Sequence, residues 1–551
     1  MTCRATLSAG PILAAILALP LAAEARTACA EMPSAAPAGV RITEAAPTAA
    51  SGDVPVAHCL VRGTMAERTG TDGRPYALRF ELRLPEEWSG RFLHQFNGGN
   101  DGTVVPALGD GVGVPQGDSA LARGFAVVSG DAGHDGGANP EAGLTGSNLF
   151  GQDFEARRMY GYGAVAALHP VALALTEAHY GRAPDHVYGM GRSNGGRHGM
   201  VAAARMPEAF DGILAGYPGF DLPRAALQHA WDVQTFLGVA DTLPEAFSPE
   251  ELATVAASVT AACDALDGAP DGMVSAPIAC QAAFDPATLA CEGNVTEGCL
   301  PPAKVEALRR IHAGPTDSAG TALYSDWPWD PGIASADWRF WKLESGIPPW
   351  ENQPLIAVMG AGSLAQVFTT PPTEVAGTPA ALRDYLTSFD FDTDAARIDA
   401  TSDAFPESAV AVMTPPGTDD PDLAAFEAAG GKLLMFHGTA DPVFSFNDTT
   451  DWAAALAAND PDAAGFARLF PVPGMPHGQG GPSADAFDML SALVAWVEEG
   501  TAPDRVVATI RSDNAEAPEA VRGATRPLCP WPTEARLTGD DPMRAEAFAC
   551  E

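Results

Sequence analysis

The sequence predicts an α/β fold whose parallel sheet is interrupted by a long insertion. Short apolar runs alternate with stretches of helical periodicity, which is typical of a parallel sheet covered by helices on both faces. A glycine-rich serine motif, GRSNG at 191–195, lies between a predicted strand and a predicted helix. The alternation stops after residue 222 and returns beyond residue 425. We therefore expect one domain in two parts, 26–222 and 426–551, with 223–425 inserted between them.

The individual elements follow from hydrophobic periodicity. Residues 26–55 are rich in Ala and Pro and predict an extended lead-in. Alternating apolar and polar residues predict strands, whereas apolar positions three and four residues apart predict helices. The predicted strands lie within 77–85, 91–102, 124–134, 185–191, 430–444 and 466–474. The predicted helices lie within 161–181, 193–207, 448–458 and 483–500.

The charge of the chain excludes two classes of partner. The formal net charge is −38 at pH 7, whereas nucleic-acid binding depends on Lys and Arg that displace counterions from phosphates. An anionic membrane surface would repel the chain for the same reason. No stretch beyond the N-terminus is apolar and long enough to cross a bilayer. We expect a soluble protein, and its oligomeric state is left open.

The first 25 residues have the features of a secretory signal peptide. Arg4 precedes an apolar run, and Ala23-Glu24-Ala25 offers a small-x-small cleavage site. The alternatives are an uncleaved anchor and a lipoprotein signal at Cys29, although Arg26 stands where such a signal has an apolar residue. We expect cleavage before Arg26 and a secreted or periplasmic protein.

Eight cysteines remain after this cleavage, which removes Cys3. An even number in an exported chain indicates disulfide bonds. Their order permits many connectivities, and their closeness in sequence favours four local bridges. No C-x-x-C pair is present, so the spacing does not indicate a zinc cluster. The eight are Cys29, Cys59, Cys263, Cys280, Cys291, Cys299, Cys529 and Cys550.

Ser193 is the candidate nucleophile. G-x-S-x-G between a strand and a helix is the context of a nucleophile elbow, in which glycines permit a tight turn that exposes the serine hydroxyl. The alternative is a structural Gly-Ser turn. The backbone amide of Asn194, together with that of Gly98 or Gly99 in an earlier glycine loop, is expected to form an oxyanion hole. The alternative for the two glycines is an ordinary turn.

A serine nucleophile needs a base and a group that orients the base. Asp441 and His477 each follow a predicted buried strand, so both are expected at the carboxyl edge of the sheet. Their order in the chain, Ser, Asp and His, is that of α/β-hydrolases. The alternatives are a turn-capping aspartate and a loop histidine. His437 lies near both, and we interpret it as a packing or supporting residue.

Three stretches carry a resemblance to a known family. They are GRSNGGRHG, HGTADPVFSFNDTTDW and GMPHGQGGPSADAFDMLSALVAWVEEGTAPD. They resemble the tannase and feruloyl esterase family, which also contains the enzyme that hydrolyses mono(2-hydroxyethyl) terephthalate. The likeness runs from about Cys59 to Cys550. It implies an α/β-hydrolase fold with a large lid domain inserted before the acid, and it implies hydrolysis of aromatic carboxylic esters without a cofactor for the chemistry.

The expected function is therefore that of a secreted serine esterase for hydroxycinnamic, gallic or related aromatic esters. A terephthalate monoester is an alternative substrate, which would favour a cation for its free carboxylate. Arg339 and Lys342 are the only basic residues between 315 and 375. A serine peptidase, an acyltransferase and a non-catalytic binding relative are further alternatives. The aromatic residues that could form pocket walls, or belong to the core instead, are Trp327, Trp329, Trp338, Phe340 and Phe444.

The stretch CDALDGAPDGM, residues 263–273, suggests a structural calcium site. Asp264, Asp267 and Asp271 place three carboxylates on one short loop, and calcium prefers such oxygen ligands. The spacing is not that of an EF-hand. It is similar to the lid calcium loop of the family, which implies further ligation by the backbone carbonyls of Ala269 and Met273. The alternative is an acidic solvated turn.

The resemblance also implies four disulfide pairs, and it shows one difference between this chain and the family. The implied pairs are Cys29–Cys59, Cys263–Cys280, Cys291–Cys299 and Cys529–Cys550. Family members typically carry one more bridge, between a cysteine before the nucleophile and a cysteine after the histidine. Here those positions hold Arg192 and Gly478. Arg192 therefore needs a partner of its own, for which we expect a carboxylate.

Overall fold

The computed structural model describes residues 1–2, 26–52, 54–293 and 298–551. The predicted signal peptide, residues 1–25, falls almost entirely outside the described residues. The described chain is organised around one large sheet and two small ones.

The central sheet has nine strands in the order β1-β2-β3-β5-β4-β6-β7-β8-β9. The strands from β5 to β9 in this order run parallel, and β1, β2 and β3 extend the sheet in antiparallel pairing. The prediction of an α/β fold is confirmed. The nine strands are β1 Val40–Thr48, β2 His58–Thr69, β3 Pro75–Pro85, β4 Arg91–Phe96, β5 Ala126–Gly130, β6 His186–Arg192, β7 Gly212–Gly216, β8 Lys432–Gly438 and β9 Ala467–Val472.

The N-terminal edge of the sheet differs from the sequence prediction. The expected extended lead-in over 26–55 instead contains a 3-10 helix at Cys29–Ala35 and the edge strand β1. β1 has a mixed burial pattern and carries Pro47 near its end, so its residues show little of the alternation that identifies a strand.

Helices cover both faces of the sheet. α2 ends at Tyr180 because Gly181 adopts a left-handed conformation, with φ of 72°, and its N–H caps the last turn. The α-helices are α1 Phe154–Arg158, α2 Ala164–Tyr180, α3 Asn194–Arg205, α4 Leu222–Ala225, α5 Leu227–Leu237, α6 Leu243–Ala246, α7 Pro249–Cys263, α8 Pro277–Ala283, α9 Pro302–His312, α10 Ala336–Lys342, α11 Ala361–Gln366, α12 Pro379–Ser388, α13 Ala409–Met413, α14 Ala424–Ala428, α15 Phe446–Asn459 and α16 Met489–Glu499.

The segment between β7 and β8 contains α4 to α14, and its described residues add no strand to the central sheet. Its apolar side chains do not form a separate core. Phe236 of α5 and Leu386 of α12 belong to the same buried cluster as Phe80 and Leu82 of β3. A continuous core fixes the segment against the sheet, because apolar surface shared between them would be exposed if they separated.

The C-terminal part adds two small sheets. They consist of β10 Ala486–Phe487, β11 Val506–Thr509 and β12 Thr525–Leu528, and of β13 Ala535–Leu537 and β14 Phe548–Cys550. The structure contains the disulfides Cys29–Cys59, Cys263–Cys280, Cys291–Cys299 and Cys529–Cys550, which are the pairs that the resemblance implies.

One helical stretch among the described residues, Phe154–Tyr180, is long and apolar enough to cross a membrane by length and hydropathy. It includes α2, which packs against β3 and β5. Leu168 and Leu175 of α2 are fully buried in the main core. In this structure the stretch serves as a core helix.

Candidate active site

Ser193 occupies a tight turn between β6 and α3. Its φ of 60° is unusual for a residue with a side chain and is the strained geometry of a nucleophile elbow. Glycine is required at positions 191 and 195 because a side chain there would clash with the backbone of a neighbouring segment. A Cβ on Gly191 would lie 2.4 Å from the carbonyl oxygen of Gly195, and one on Gly195 would lie 2.4 Å from that of Phe96. The close approach of β4, β6 and α3 therefore explains the G-x-S-x-G pattern.

Ser193, His477 and Asp441 form a continuous hydrogen-bonded chain. With its proton on Nδ1, His477 donates to Oδ2 of Asp441 at 2.7 Å, and its Nε2 accepts from the Ser193 hydroxyl at 2.9 Å. The two loops meet because β8 and β9 are parallel neighbours whose carboxyl ends share one edge. The structure thus brings together the three residues that the sequence predicts.

The Asp441 carboxylate is held in one orientation. Its Oδ1 accepts the amide N–H groups of Val443 at 2.7 Å and Phe444 at 3.0 Å. Burial acts to raise the pKa of Asp441, but His477 and His437 outweigh it and hold that pKa far below its ordinary value. The carboxylate therefore stays ionised and aimed at the imidazole.

Three aromatic rings enclose the His477 imidazole. The ring centroids of Tyr217, Trp341 and Phe444 lie 4.9, 5.0 and 5.3 Å from that of His477. The backbone N–H of His477 donates to Oδ2 of Asp337 at 3.1 Å, and burial raises the pKa of Asp337 to about 6. Sequence reasoning missed Trp341 and Asp337, although they lie directly beside Trp338 and Phe340, which it named as aromatic candidates.

The amides of the expected oxyanion hole lie beside the nucleophile. Gly98, Gly99 and Asn194 line the same cavity as Ser193. Within the described residues, none of their three backbone N–H groups donates to a protein acceptor. The oxyanion-hole role of Gly98, Gly99 and Asn194 stays a prediction, for which these residues offer backbone donors without a protein acceptor in the described chain, at the wall of the cavity.

A buried polar cluster joins the glycine loop to α3. The Asn194 side chain donates to Oδ1 of Asp101 at 2.5 Å and accepts from Nε of Arg197 at 2.6 Å. Nε2 of His198 lies 3.4 Å from Oδ2 of Asp101. Burial raises the pKa of Asp101 to about 7. Sequence reasoning missed this cluster, because Asp101 and Asn194 are far apart in the chain.

A cavity of about 470 Å³ opens onto Ser193 and His477. The segment between β7 and β8 contributes a mainly apolar part of its wall, which includes His229 and Ser363 and the apolar side chains of Leu222, Trp341, Leu355, Met359 and Phe368. Such a wall suits the flat face of an aromatic ring.

Of the aromatic residues that the sequence left open between pocket wall and core, most belong to the core or lie outside the cavity. Phe444 lines this cavity, but Trp327, Trp329, Trp338 and Phe340 do not. Trp327 and Trp338 are buried in the main core, and Trp329 packs at its edge.

The two basic residues between 315 and 375, which the sequence alone could not place in the site, do not line the cavity. Arg339 pairs with Glu344 and donates to two backbone carbonyls, whereas Lys342 is buried and pairs with Asp232. Each of these cations already has a carboxylate partner, which leaves neither one available to a substrate in the cavity.

Arg192 also differs from expectation. Its guanidinium donates to the backbone carbonyls of Asp110 at 2.5 Å and Val112 at 3.2 Å. Among the residues that the structure describes, no carboxylate lies within 4.0 Å of it, so the expected ion pair is absent. A Cβ built on Gly478 has no neighbouring atom within 4 Å, which leaves open space beside His477.

The loop of the predicted calcium site is held by internal hydrogen bonds. Asp264, Asp267 and Asp271 accept backbone N–H groups of the loop itself, and Asp271 also pairs with Arg526. Burial raises the pKa of Asp267 to about 6. Within 26–52, 54–293 and 298–551, no group of three or more His, Cys, Asp or Glu side chains is placed to hold a metal ion. The calcium role of Asp264, Asp267, Ala269, Asp271 and Met273 stays a prediction.

Comparison with known proteins identifies the family. Residues 59–550 match the family model described as tannase and feruloyl esterase. The chain belongs to this family. It is 42% identical to mono(2-hydroxyethyl) terephthalate hydrolase of Piscinibacter sakaiensis, over 92% of this chain and 87% of the relative. It is 28% identical to a probable feruloyl esterase B-2 of Aspergillus flavus, over 80% and 79% of the two chains.

Solved structures agree on the fold of the esterase. Feruloyl esterase B from Aspergillus oryzae superposes with a TM-score of 0.72 at 23% identity, covering 94% of this chain and all of that one. Tannin acyl hydrolase from Aspergillus niger gives a TM-score of 0.62 at 21% identity, covering 95% of each chain. Family membership and these relatives make the chain a carboxylic ester hydrolase.

Proposed function

We propose that the esterase hydrolyses esters of aromatic carboxylic acids through an acyl-enzyme on Ser193. The observation that carries this proposal is the hydrogen-bonded chain of Ser193, His477 and Asp441, which opens into a cavity with an apolar wall. Mono(2-hydroxyethyl) terephthalate, which gives one relative its name, is an ester of an aromatic acid.

The geometry supplies a role for each group. His477 Nε2 takes the hydroxyl proton as Ser193 Oγ attacks the ester carbonyl, and the ionised Asp441 stabilises the imidazolium that results. The amides of Asn194 and of Gly98 or Gly99 receive the developing oxyanion. His477 then protonates the leaving alcohol. A water molecule, activated by the same imidazole, releases the acid and restores the serine.

We further propose that residues 223–425 act as a lid over a catalytic domain made of 26–222 and 426–551. Trp341, Leu355 and Met359 of this segment line the cavity, and Trp341 contacts the ring of His477. The segment therefore contributes to substrate selection as well as to the exclusion of water. Its core is continuous with that of the sheet, which suits a fixed cover.

The preferred substrates in this proposal are hydroxycinnamic, gallic or related esters. Terephthalate monoesters are the second candidate, because the relative with 42% identity is named for that substrate. A substrate panel separates these possibilities. It contains methyl ferulate, methyl gallate and mono(2-hydroxyethyl) terephthalate, with methyl hexanoate as the aliphatic control. We expect kcat/KM to be highest for an aromatic ester. A preference for the aliphatic ester, or for a peptide p-nitroanilide, would contradict the proposal.

We also propose that the protein is exported to the periplasm or the medium. The four disulfides support this location, because such bonds persist in oxidising compartments and are rare in the cytosol.

A calcium ion at the 263–273 loop is a separate proposal. Its support is the run of three carboxylates, which are oxygen ligands of the kind that calcium prefers. Burial, and to a smaller extent the charge of Asp264, raises the pKa of Asp271 against the opposing effect of Arg526. We expect protein purified without chelator to contain calcium. Calcium at about 100 times its Kd should raise the free energy of unfolding by about 2.7 kcal/mol.

Metal analysis and thermal melts with and without calcium check this expectation. Asp267→Asn should abolish the calcium-dependent shift in Tm, whereas Asp285→Asn, outside the loop, should retain it. Metal-free protein whose Tm does not respond to added calcium would remove the assignment and leave a loop that is held by Arg526 and its own amides.

A further inference from the structure

Arg192 is the motif residue that the catalytic scheme leaves without a role. It is the last residue of β6, directly before Ser193, and it lines the catalytic cavity. All residues that line this cavity lie in the described part of the chain, and Arg192 is the only Arg or Lys among them. One acidic residue, Asp110, lines it as well. The cavity that holds the reacting ester thus contains a single fixed cation.

The guanidinium is anchored at the cavity wall by backbone groups. It lies across the 110–112 loop and donates to the carbonyls of Asp110 and Val112. Gly111 provides the room, because a Cβ there would lie 2.3 Å from Cζ of Arg192 and because its φ is +109°. The side chain is therefore positioned without any partner that neutralises its charge.

The Arg192 guanidinium has more N–H donors than its hydrogen bonds within the protein occupy. A guanidinium has about five N–H donors, and the two carbonyl bonds occupy only part of them. Arg197 likewise binds carbonyls, but it is fully buried, and this burial lowers its pKa even though Tyr160 and Asp101 act in the opposite direction. Arg192 is half-buried and faces the cavity. In a chain with 70 Asp and Glu against 32 Lys and Arg, an Arg without a carboxylate partner in the catalytic cavity is available to an external anion.

We propose that Arg192 recognises a carboxylate carried by the substrate. This inference rests on the proposed function and names the substrate class more narrowly: aromatic esters with one free carboxylate. The carboxylate can belong to the acid part, as in a terephthalate monoester, or to the alcohol part. A planar guanidinium suits either carboxylate through paired N–H donors.

Two matched substrate pairs separate these sources. Mono(2-hydroxyethyl) terephthalate against 2-hydroxyethyl benzoate places the carboxylate on the acid, and carboxymethyl benzoate against methyl benzoate places it on the alcohol. The measured quantity is the ratio of kcat/KM between the anionic and the neutral member. We expect Arg192→Gln to lower this ratio about 10- to 100-fold for one pair, since a hydrogen bond to a charged group is worth about 1.5–3 kcal/mol. Arg192→Lys should retain part of the preference.

Arg505→Gln is the matched control, because it removes the same charge from an exposed position outside the cavity. Its ratios should equal those of the wild type. Unchanged ratios for both pairs in Arg192→Gln, or equal losses for the anionic and neutral members, would overturn the role of Arg192. If the proposed function itself is wrong, the result differs from a failure of the Arg192 role, because the wild type would then hydrolyse none of the four esters.

A second measurement avoids any folding defect of the variant. Terephthalate should inhibit the wild type more strongly than its neutral diamide does, and added salt should weaken that difference because it screens the charge. Equal inhibition by the two compounds, independent of salt, would also overturn the proposal.

Discussion

Ser193→Ala is expected to lower the turnover of an aromatic ester on the order of a million-fold, as for other triad enzymes. The hydroxyl lies 2.9 Å from His477 Nε2, and no other hydroxyl in the described structure bonds to that nitrogen. Water attack assisted by the oxyanion amides alone would account for the residual rate. Steady-state hydrolysis, with background subtracted, measures the change.

Ser388→Ala serves as the control for this variant, since Ser388 is exposed at the end of α12 and outside the cavity. It should keep the wild-type rate. Both variants should melt at nearly the wild-type temperature. Hydrolysis by Ser193→Ala at a rate near that of the wild type would remove Ser193 as the nucleophile.

Asp441→Asn is expected to lower kcat by about 10⁴. The buried carboxylate now accepts the Nδ1 proton of His477 at 2.7 Å and fixes the tautomer that leaves Nε2 free to act as a base. An amide can donate to Nδ1 instead, which would favour the wrong tautomer, and it cannot stabilise the imidazolium. The loss should fall on kcat, because Asp441 does not line the substrate cavity.

Asp337→Asn provides the comparison, because Asp337 contacts the backbone N–H of His477 and not its ring. Its amide oxygen can still accept that bond, so kcat should change far less than in Asp441→Asn. Similar losses in the two variants would show that Asp441 acts by holding the loop in place and not through the imidazole.

The elbow and the triad could be predicted because their signals are local. The glycines around Ser193 are demanded by the close approach of β4, β6 and α3, so a spatial requirement appears as a short sequence pattern. Asp441 and His477 each follow a strand with strong apolar character, and parallel neighbours bring their carboxyl ends to one edge. Knowledge of the strand order was not needed to expect them together.

The cavity walls could not be predicted in the same way. Several aromatic residues lie in one short stretch, and only the position of α10 in the folded chain decides that Trp341 contacts His477 while Trp338 enters the core. Composition shows that aromatic surface is present, but it does not show which face is buried.

Arg192 was assigned the wrong kind of partner for a related reason. The excess of acidic residues in the chain made a carboxylate the expected partner, but the loop at 110–112 places backbone carbonyls there instead. Glycines at 109, 111 and 113, all with positive φ, give this loop its path. Contacts between segments that lie far apart in the sequence leave no periodic pattern, so neither this contact nor that of Asp101 with Asn194 was visible beforehand.

Covalent labelling tests the central claim most directly. A fluorophosphonate reacts with a serine that an adjacent base activates, and mass spectrometry of the digested protein identifies the modified residue. We expect one equivalent of label, on Ser193, in the wild type, and greatly slowed labelling in His477→Ala. Label on another residue, or equally fast labelling of Ser193 without His477, would contradict an acyl-enzyme mechanism that depends on this hydrogen-bonded chain.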